Sequence, residues 1–387
     1  NCLTGDMRVL TEFGQAIKIE DFEKYQSEIE IEQNGQKIKQ IMFNCNIPTL
    51  NIKSKIIENK PINLFMSRES NNLYEIELNS GLTIKATKEH PFLTKDGMKK
   101  LEELKENDEL AVNLFEGVEN NEKIDEKEAI TTKILGYMFG DGTFYESNKE
   151  LFAVAYGTEV DIEKMKMDLQ RINVNSNIYS RTRKHKINTR YGIVEFEATN
   201  HELHIHNKQF KKKLEELGLS KGNKTRQEIR VPEWIKKSNK NIKRLFLAGF
   251  FGAEMSTPKT SSKTCFFCPT VDQNKIESLR QNARDFIIDI SLLLEEFGIK
   301  SAEITEMADY KNKYEEKTKR FRLFVTGEEN MLKLWRNIGF EYNLKRKNLA
   351  NIASLYILLK KQDNNKRKEI AIKVKEYKKR GLTLKEV

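Results

Sequence analysis

Two short apolar segments, each studded with small residues, finish on a carboxylate. ILGYMFGDG (residues 134–142) carries Asp141, and LAGFFGAEM (residues 247–255) carries Glu254. Carboxylate oxygens are ligands that Mg²⁺ or Mn²⁺ prefers, and such a metal beside a phosphodiester can activate water and stabilise the leaving oxygen. If these acids meet, they predict a metal site for phosphodiester hydrolysis. The alternative is two core helices whose terminal acids are merely solvated.

Small residues four positions apart predict how the two acids could meet. Gly136 and Gly140 share one helical face, and Gly249 and Ala253 do the same. This spacing lets two helix backbones approach closely, although each glycine costs about 1 kcal/mol relative to alanine. A parallel pair would bring the acids together at its C-terminal end. The helix dipoles and mutual repulsion disfavour two anions there, so we expect a cation between them.

The second part of the chain reads as a duplicated unit of helix and sheet, because the two acids lie 113 residues apart in similar surroundings. The half-domains are predicted at about residues 127–240 and 241–365. The second half is expected to hold a strand at KTCFFCPTV (263–271) and a long helix over residues 274–299. Cys265 and Cys268 are expected to be partly buried strand cysteines.

The charge is unevenly distributed along the chain. The net charge is +10, but residues 1–122 hold 15 Lys+Arg against 22 Asp+Glu, and the remainder holds 53 against 36. A basic surface is typical of nucleic-acid binders, and a solvated lysine-rich surface is the alternative. The residues expected to contact DNA are Arg181, Arg183, Lys184, Lys186, Arg190, Lys236 and Lys237. His201, His204 and His206 form a cluster that could suggest a metal site. A strand beside DNA is the favoured interpretation, because His204 and His206 alternate onto one face without a carboxylate partner.

These residues carry a family resemblance. The two glycine-rich segments resemble the paired motifs of LAGLIDADG homing endonucleases, and LWRNIGFEYNLKRKNLA resembles the closing segment of that family. The resemblance implies an α+β, pseudo-two-fold domain, with curved sheets that lie in the DNA major groove. It also implies that Asp141 and Glu254 bind the catalytic metal, and that either Lys221 or Lys224 assists at the phosphate. Met255 replaces the glycine usual after the second acid and could impair cleavage.

The first residues suggest a second chemistry. Cys2 precedes a downstream T-x-x-H motif, formed by Thr87 and His90, in a strand-turn context that includes the predicted hairpin YEIELNSGLTIKA. This region, residues 2–112, resembles the N-terminal splicing region of an intein, an all-β Hint-type domain. The resemblance implies that Cys2 attacks the Asn1–Cys2 carbonyl to form a thioester, that Thr87 holds the scissile peptide and that His90 protonates its nitrogen.

Together these readings predict a multidomain protein: a splicing region over residues 1–122, an inserted endonuclease over 123–365, and a helical segment over 366–387 that could begin a helix-turn-helix module. The terminal His-Asn pair of inteins is missing, so truncation or a separate C-terminal intein fragment is expected. The expected partners are host-protein flanking segments and a long, asymmetric double-stranded DNA site. A cytoplasmic monomer without membrane spans is predicted. The alternatives are an inactive DNA-binding protein of this fold, or a self-processing protein without DNA cleavage.

Overall fold

A computed structural model describes residues 2–33, 36–43, 45–54, 56–62, 72–120, 122–189, 192–300, 304–311 and 315–381. The chain divides into two compact units. Unit 1 comprises Asn1–Glu12, Ala16–Leu114 and Asn351–Val387, and unit 2 comprises Phe13–Gln15 and Phe115–Ala350. The structure is therefore multidomain, with several small sheets and a set of helices.

Unit 1 consists largely of short antiparallel hairpins. Its strands pair in sequence order as β1 with β2, β3 with β4, β5 with β6, β7 with β8 and β9 with β10. Their bounds are β1 Arg8–Leu10, β2 Gln15–Lys18, β3 Gln26–Gln33, β4 Gln36–Phe43, β5 Asn46–Asn51, β6 Ile56–Pro61, β7 Tyr74–Glu77, β8 Thr83–Ala86, β9 Pro91–Thr94 and β10 Gly97–Lys100.

The β7–β8 hairpin confirms the sequence prediction for YEIELNSGLTIKA. Ile76 pairs with Ile84, and the turn ends on Gly81 with φ +79°, a conformation that glycine adopts without strain. Ile17 and Phe22 form a small buried core in the same unit, against which Val9, Cys45 and Ile62 pack. This burial raises the pKa of the Cys45 thiol to about 11, as expected for a structural cysteine.

Unit 2 begins with the short β11 (Val118–Glu119) and then runs twice through helix, strands and helix. The first pass consists of α1 Glu126–Asp141, β12 Gly142–Ser147, β13 Glu150–Gly157, α2 Glu159–Arg171, β14 Ser176–Thr189, β15 Gly192–Ile205, α3 Lys208–Glu216 and α4 Glu233–Lys237. The second consists of α5 Lys240–Glu254, β16 Thr270–Ile276, α6 Arg280–Glu296, β17 Thr305–Lys311, β18 Lys317–Phe324, α7 Glu328–Lys333 and α8 Leu344–Lys379.

Each pass forms one antiparallel sheet. The strand orders are β12-β13-β15-β14 and β16-β18-β17. On the first sheet, Leu203 and Ile205 are buried in the core; on the second, Val271 and Leu323 are buried in the same way. Because side chains alternate across a strand, the neighbouring residues of each strand lie on the opposite face.

Helices α1 and α5 pack along each other in parallel, and glycine permits this packing. A Cβ on Gly136 would fall 2.1 Å from the carbonyl oxygen of Phe246, and one on Gly249 would fall 2.2 Å from that of Lys133. A Cβ on Gly140 would fall 2.4 Å from the Cβ of Ala253. The prediction that these small residues form a close helix contact is therefore confirmed.

Two predictions about the second pass are wrong. Only the last two residues of KTCFFCPTV are strand: β16 begins at Thr270, because Pro269 has no backbone N–H for a ladder bond. Cys265 is exposed and Cys268 partly buried, and neither belongs to a strand. The helix predicted from residue 274 starts later, at Arg280. Residues 274–276 belong to β16 instead, because Lys275 pairs with Lys319 across the sheet.

No break occurs at residue 365, where the sequence suggested a boundary. Helix α8 runs continuously from Leu344 to Lys379, and the residues from Asn351 onwards belong to unit 1. The stretch holds neither glycine nor proline before Gly381, so nothing in it interrupts a helix.

Candidate functional site

The α1–α5 pair brings Asp141 and Glu254 to the same end of the two helices. A Cβ on Gly140 would lie 2.8 Å from Cγ of Glu254 and 3.5 Å from its Oε1, so the second acid lies against the last turn of α1. Both acids are exposed residues. The neighbouring protein atoms still displace enough water to raise the pKa of each carboxyl, and the charge of Asp141 raises that of Glu254 further.

Two side-chain cations face this pair of acids, each from the C-terminal end of one helix. The Lys224 ammonium, which belongs to a short turn over residues 224–226, donates to the Gly140 carbonyl at the end of α1. The Arg346 guanidinium donates to the carbonyls of Gly252 and, at 2.9 Å, Ala253 at the end of α5. Both cations lower the pKa of Asp141 and of Glu254, against the effect of burial.

Asn343 completes the cap on α5. Its Nδ2 donates to the Gly252 carbonyl at 2.8 Å, while its Oδ1 accepts the backbone N–H of Arg346 at 3.0 Å. One side chain therefore caps the end of α5 and the start of α8. Such caps satisfy helix-terminal groups that have no partner within the helix.

The two lysines that the sequence could not separate occupy different environments. Lys221 pairs with Glu146 at 2.7 Å and with Glu215 at 2.9 Å, and the hydrogen bonds to these two acids raise its pKa to about 12. Burial lowers the pKa of Lys224 to about 8, although Glu254 and Asp141 both oppose that shift. Of the two, only Lys224 lies against the acids.

Met255 leaves the end of α5 undisturbed. It is fully buried, with φ −71° and ψ 144°, and its N–H closes the helix on Phe251. Gly142, its counterpart after α1, is also extended, with φ −111°. Neither position needs the left-handed conformation that favours glycine. Gly142 is constrained by space instead, because a Cβ there would fall 2.6 Å from Sδ of Met138.

The predicted DNA contacts of the first half divide between the two faces of the β14–β15 hairpin. Arg181 and Arg183 lie on the face opposite the buried Leu203. Lys184 and Lys186 lie on the core side of the hairpin, where they pair with Glu197 at 3.7 Å and Glu195 at 2.8 Å. Arg190 lies outside the described residues.

The second sheet presents a similar face. Arg320 and Arg322 alternate with the buried Phe321 and Leu323, so they lie on the side away from the core. Arg322 makes two 2.6 Å hydrogen bonds to Asp272. We name Arg181, Arg183, Arg320 and Arg322 the arginine face. Sequence reasoning missed its second pair, which the alternation in KRFRLFV could have indicated.

Lys236 and Lys237, the remaining predicted DNA contacts, differ in their surroundings. Lys236 bonds to Glu233 at 2.8 Å and Asp289 at 2.9 Å, whereas Lys237 is exposed. The expectation that His204 has no carboxylate partner is wrong: its Nε2 lies 3.1 Å from Glu202, because residues two apart share a strand face. His201 Nδ1 lies 3.0 Å from the Ser180 hydroxyl.

A cavity of about 600 Å³ opens beside Asp141 and Arg346. Among the described residues, no three His, Cys, Asp or Glu side chains come close enough to form a complete metal site. A metal at the acids would therefore draw on two carboxylates, with other oxygens completing its coordination shell. No described helix is long and apolar enough to span a membrane.

In unit 1, Thr87 holds the backbone of Cys2 on both sides. The Cys2 N–H donates to Thr87 Oγ1 at 3.1 Å, and the Thr87 N–H donates to the Cys2 carbonyl at 3.0 Å. The His90 N–H bonds the Thr87 carbonyl at 3.0 Å and so closes the turn. His90 Nδ1 is buried with no partner among the described residues, and burial lowers the pKa of its imidazole.

A family model described as the intein splicing domain matches residues 17–384, nearly the whole chain. The chain belongs to the intein splicing domain family. The match extends through unit 2 as well as unit 1, so both are parts of one intein.

Known relatives carry similar segments within longer proteins. This intein is 31% identical over 405 residues to the tRNA-splicing ligase RtcB of Methanopyrus kandleri, an alignment that covers 96% of this chain and 39% of the ligase. It is 28% identical over 412 residues to the DNA-directed RNA polymerase subunit Rpo1N of Methanocaldococcus jannaschii, covering 93% and 29%. The chain thus spans between a quarter and two fifths of these relatives.

Among the solved structures similar to part of the intein is the homing endonuclease I-WcaI bound to its DNA recognition sequence. The match covers 59% of this chain and 88% of that one, at 11% identity and a TM-score of 0.37. A likeness at this level carries no argument about function, which rests below on the residues of this chain.

Sequence reasoning missed Arg346, Asn343 and Lys275 in this intein. The basic run LKRKN was visible in the closing segment, but nothing in it indicated which residue would turn back to α5. Lys275 lay within a segment predicted as helix, which concealed that its side chain is buried.

Proposed function

We propose that this intein combines self-splicing with a site-specific, divalent-metal-dependent cleavage of double-stranded DNA. Unit 2 would be a pseudo-two-fold LAGLIDADG endonuclease, and unit 1 the N-terminal part of an all-β Hint-type splicing domain. The observation that carries the nuclease is the parallel α1–α5 pair, which places Asp141 and Glu254 together beside two cations.

The residues at the helix ends fit a divalent cation. Asp141 and Glu254 offer carboxylate oxygen atoms, the donor type that Mg²⁺ or Mn²⁺ takes. Mg²⁺ commonly uses one or two carboxylates together with substrate phosphates, so two acids suffice. When bound, the metal would supply an activated water and stabilise the leaving oxygen.

The chain's own residues would position the phosphate and its charge. Lys224 lies against both carboxylates, where its ammonium would stabilise negative charge that develops on the phosphoryl oxygens. Water attacks phosphorus, the bond to the leaving oxygen breaks, and that oxygen takes a proton. Because burial lowers the pKa of Lys224 to about 8, it could also supply that proton near neutral pH.

The arginine face would hold the DNA backbone and read base edges. Its four residues lie on the sheet faces away from the core, where extended strands can enter a major groove. Lys184 and Lys186 lie on the same face of the hairpin as the buried Leu203, so we assign them a smaller contribution to phosphate binding.

In unit 1 we propose that Cys2 performs an N-to-S acyl shift. Its Sγ attacks the carbonyl carbon of residue 1, the C–N bond breaks, and the nitrogen leaves as an amine. Thr87 fixes the Cys2 nitrogen through the 3.1 Å hydrogen bond. His90 would protonate that nitrogen, since a buried imidazole with a lowered pKa is a readily donating acid once protonated.

We do not assign RNA ligation to this chain. The same segment matches a ligase and an RNA polymerase subunit, so we infer that the similarity follows a shared insert rather than the activity of either protein. Two other functions remain as outcomes of the test: a DNA-binding protein without cleavage, and self-processing without DNA activity.

The deciding experiment offers the purified intein a DNA spanning the host-gene insertion site with the intein coding sequence removed. With Mg²⁺, both strands should be cut at one position, and EDTA should abolish cutting. A gel shift without cutting would support the inactive binder. In parallel, dithiothreitol should release a segment fused before Cys2, and Cys2→Ala should prevent release. Release without any DNA binding would support self-processing alone.

A further inference from the structure

Lys275 is a fully buried cation on β16, and its described hydrogen bonds run to backbone. Its side chain is 0% exposed, and its ammonium donates to the carbonyls of Lys224 and Gln227, each at 2.5 Å. No ion pair joins it to a carboxylate within the part of the chain that the structure describes. Burying a charge without a partner of opposite sign is costly.

The two carbonyls belong to the turn that carries Lys224. On one side this turn is tied to the first half of unit 2, since the Gly222 N–H donates to the Phe144 carbonyl at 2.7 Å. Lys275 ties the other side to the second half. With Lys275 in place, the backbone on which the Lys224 side chain is built is fixed at both ends.

We propose that Lys275 is a positioning residue, which holds the 224–227 turn so that Lys224 reaches Gly140 and the two acids. An apolar side chain would fill the same space without burying a charge, but it could not donate to two converging carbonyls. The inference deepens the proposed nuclease and rests on it, because its consequence for the reaction passes through Lys224.

Hydrogen exchange tests the structural half of the inference without any cleavage assay. In Lys275→Met, amide exchange should accelerate over residues 222–228, while α1 and α5 keep their wild-type protection. Lys275→Gln, which retains one pair of donors, should give an intermediate rate. Lys243→Met is the matched control, since Lys243 is also buried but pairs with Glu296; it should leave residues 222–228 unchanged. Equal exchange in Lys275→Met and wild type would overturn the proposal.

Cleavage kinetics test the functional half. Lys275→Met should lower kcat about 10- to 100-fold, the effect of a misplaced group, with KM within about threefold of wild type because phosphate contacts persist. In a Lys224→Met background the same substitution should have little further effect, as expected when one residue acts through another.

The outcomes separate the two proposals. If the wild-type protein cuts DNA and Lys275→Met has the same kcat, the positioning inference alone is overturned. The same holds if the effects of Lys275→Met and Lys224→Met on kcat are additive. A wild-type protein that cuts no DNA overturns the nuclease and the catalytic consequence. In that case hydrogen exchange still decides whether Lys275 fixes the turn.

Discussion

At the scale of single residues, the site solves an electrostatic difficulty. Two acids at the C-terminal ends of parallel helices meet unfavourable dipoles and each other's charge. Lys224 and Arg346 offset both effects, because each donates to the carbonyls of one helix end and also lowers the pKa of both carboxyls. The protein therefore places its two acids between two of its own cations.

Asp141→Asn and Glu254→Gln should each abolish double-strand cleavage while DNA affinity stays within about threefold of wild type, because we assign the phosphate contacts to the arginine face. Cleavage and gel-shift assays on the same DNA would check this. Asp285→Asn, which changes an acid on α6, is the control and should cut DNA at the wild-type rate. Retained cleavage in either active-site variant would exclude that acid from the reaction.

The raised carboxyl pKa values predict a pH dependence with a definite sign. Ordinary Asp and Glu titrate near pH 4, so cleavage should decline on acidification while the pH is still above that value. At pH values between the ordinary and the raised pKa, Asp141 and Glu254 bind more protons in the folded state than in the unfolded state. The free energy of unfolding should therefore fall as pH rises through this window. Urea titrations across pH should show a smaller fall in Asp141→Asn.

Arg346→Met should lower the free energy of unfolding by about 2 kcal/mol, because it removes charge-assisted hydrogen bonds to the end of α5. It should also raise the pKa of Glu254 further, and so move the acid limb of cleavage to higher pH. Urea unfolding and a pH–rate profile measure the two effects. Lys345→Met, at the exposed neighbouring position, should change neither; if both variants behave alike, the cap has no such function.

At the scale of elements, the α1–α5 contact is set by glycine. Gly136 and Gly249 each face a backbone carbonyl of the partner helix at a distance that excludes a Cβ. A backbone atom cannot move aside as a flexible side chain can, so the spacing between the helices depends on these two residues.

Gly136→Ala should therefore destabilise the protein by about 3 kcal/mol, the upper part of the range for overpacking, although alanine favours an isolated helix. Thermal or urea unfolding would measure it. Lys127→Ala, at an exposed position on α1, should be nearly neutral. A stabilising Gly136→Ala would contradict the packing of the two helices.

The two faces of the β14–β15 hairpin should contribute unequally to DNA binding. Arg181→Ala with Arg183→Ala should weaken binding strongly and reduce the salt dependence by about one charge per lost phosphate contact. Lys184→Ala with Lys186→Ala should weaken it less, because both lysines lie on the same face of the hairpin as the buried Leu203. Affinity measured over a salt series distinguishes them, and equal losses would contradict the assignment of faces.

The sequence allowed the helix pair and its acids to be predicted because glycine spacing is a local signal. It did not reveal Arg346 or Lys275, since each reaches the site through a tertiary contact: Arg346 to carbonyls 93 or 94 positions earlier, and Lys275 to a turn about 50 positions earlier. Strand faces were equally hidden, because Lys184 and Arg183 are neighbours in sequence but oppose each other across the sheet.

At the scale of the whole molecule, the residues of the two proposed chemistries lie in separate units. Cys2, Thr87 and His90 belong to unit 1, whereas Asp141 and Glu254 belong to unit 2. No residue that we assign to one reaction is assigned to the other, so the two activities should be separable by mutation.

Cys2→Ala should abolish thiol-induced release of an upstream segment and leave DNA cleavage at its wild-type rate. Asp141→Asn should do the opposite. Both activities measured on one preparation of each variant provide the test, with Thr87→Ala expected to slow release by loosening the Cys2 backbone. Loss of both activities in a single well-folded variant would contradict the separation.

The most direct test of the central claim measures metal binding at the two acids. Mn²⁺ is titrated into the intein bound to its DNA site, and the free ion is followed by electron paramagnetic resonance. We predict that wild-type protein depletes the free Mn²⁺ signal, and that Asp141→Asn and Glu254→Gln each weaken this binding markedly. Wild-type affinity in both single variants would show that Asp141 and Glu254 do not share a cation.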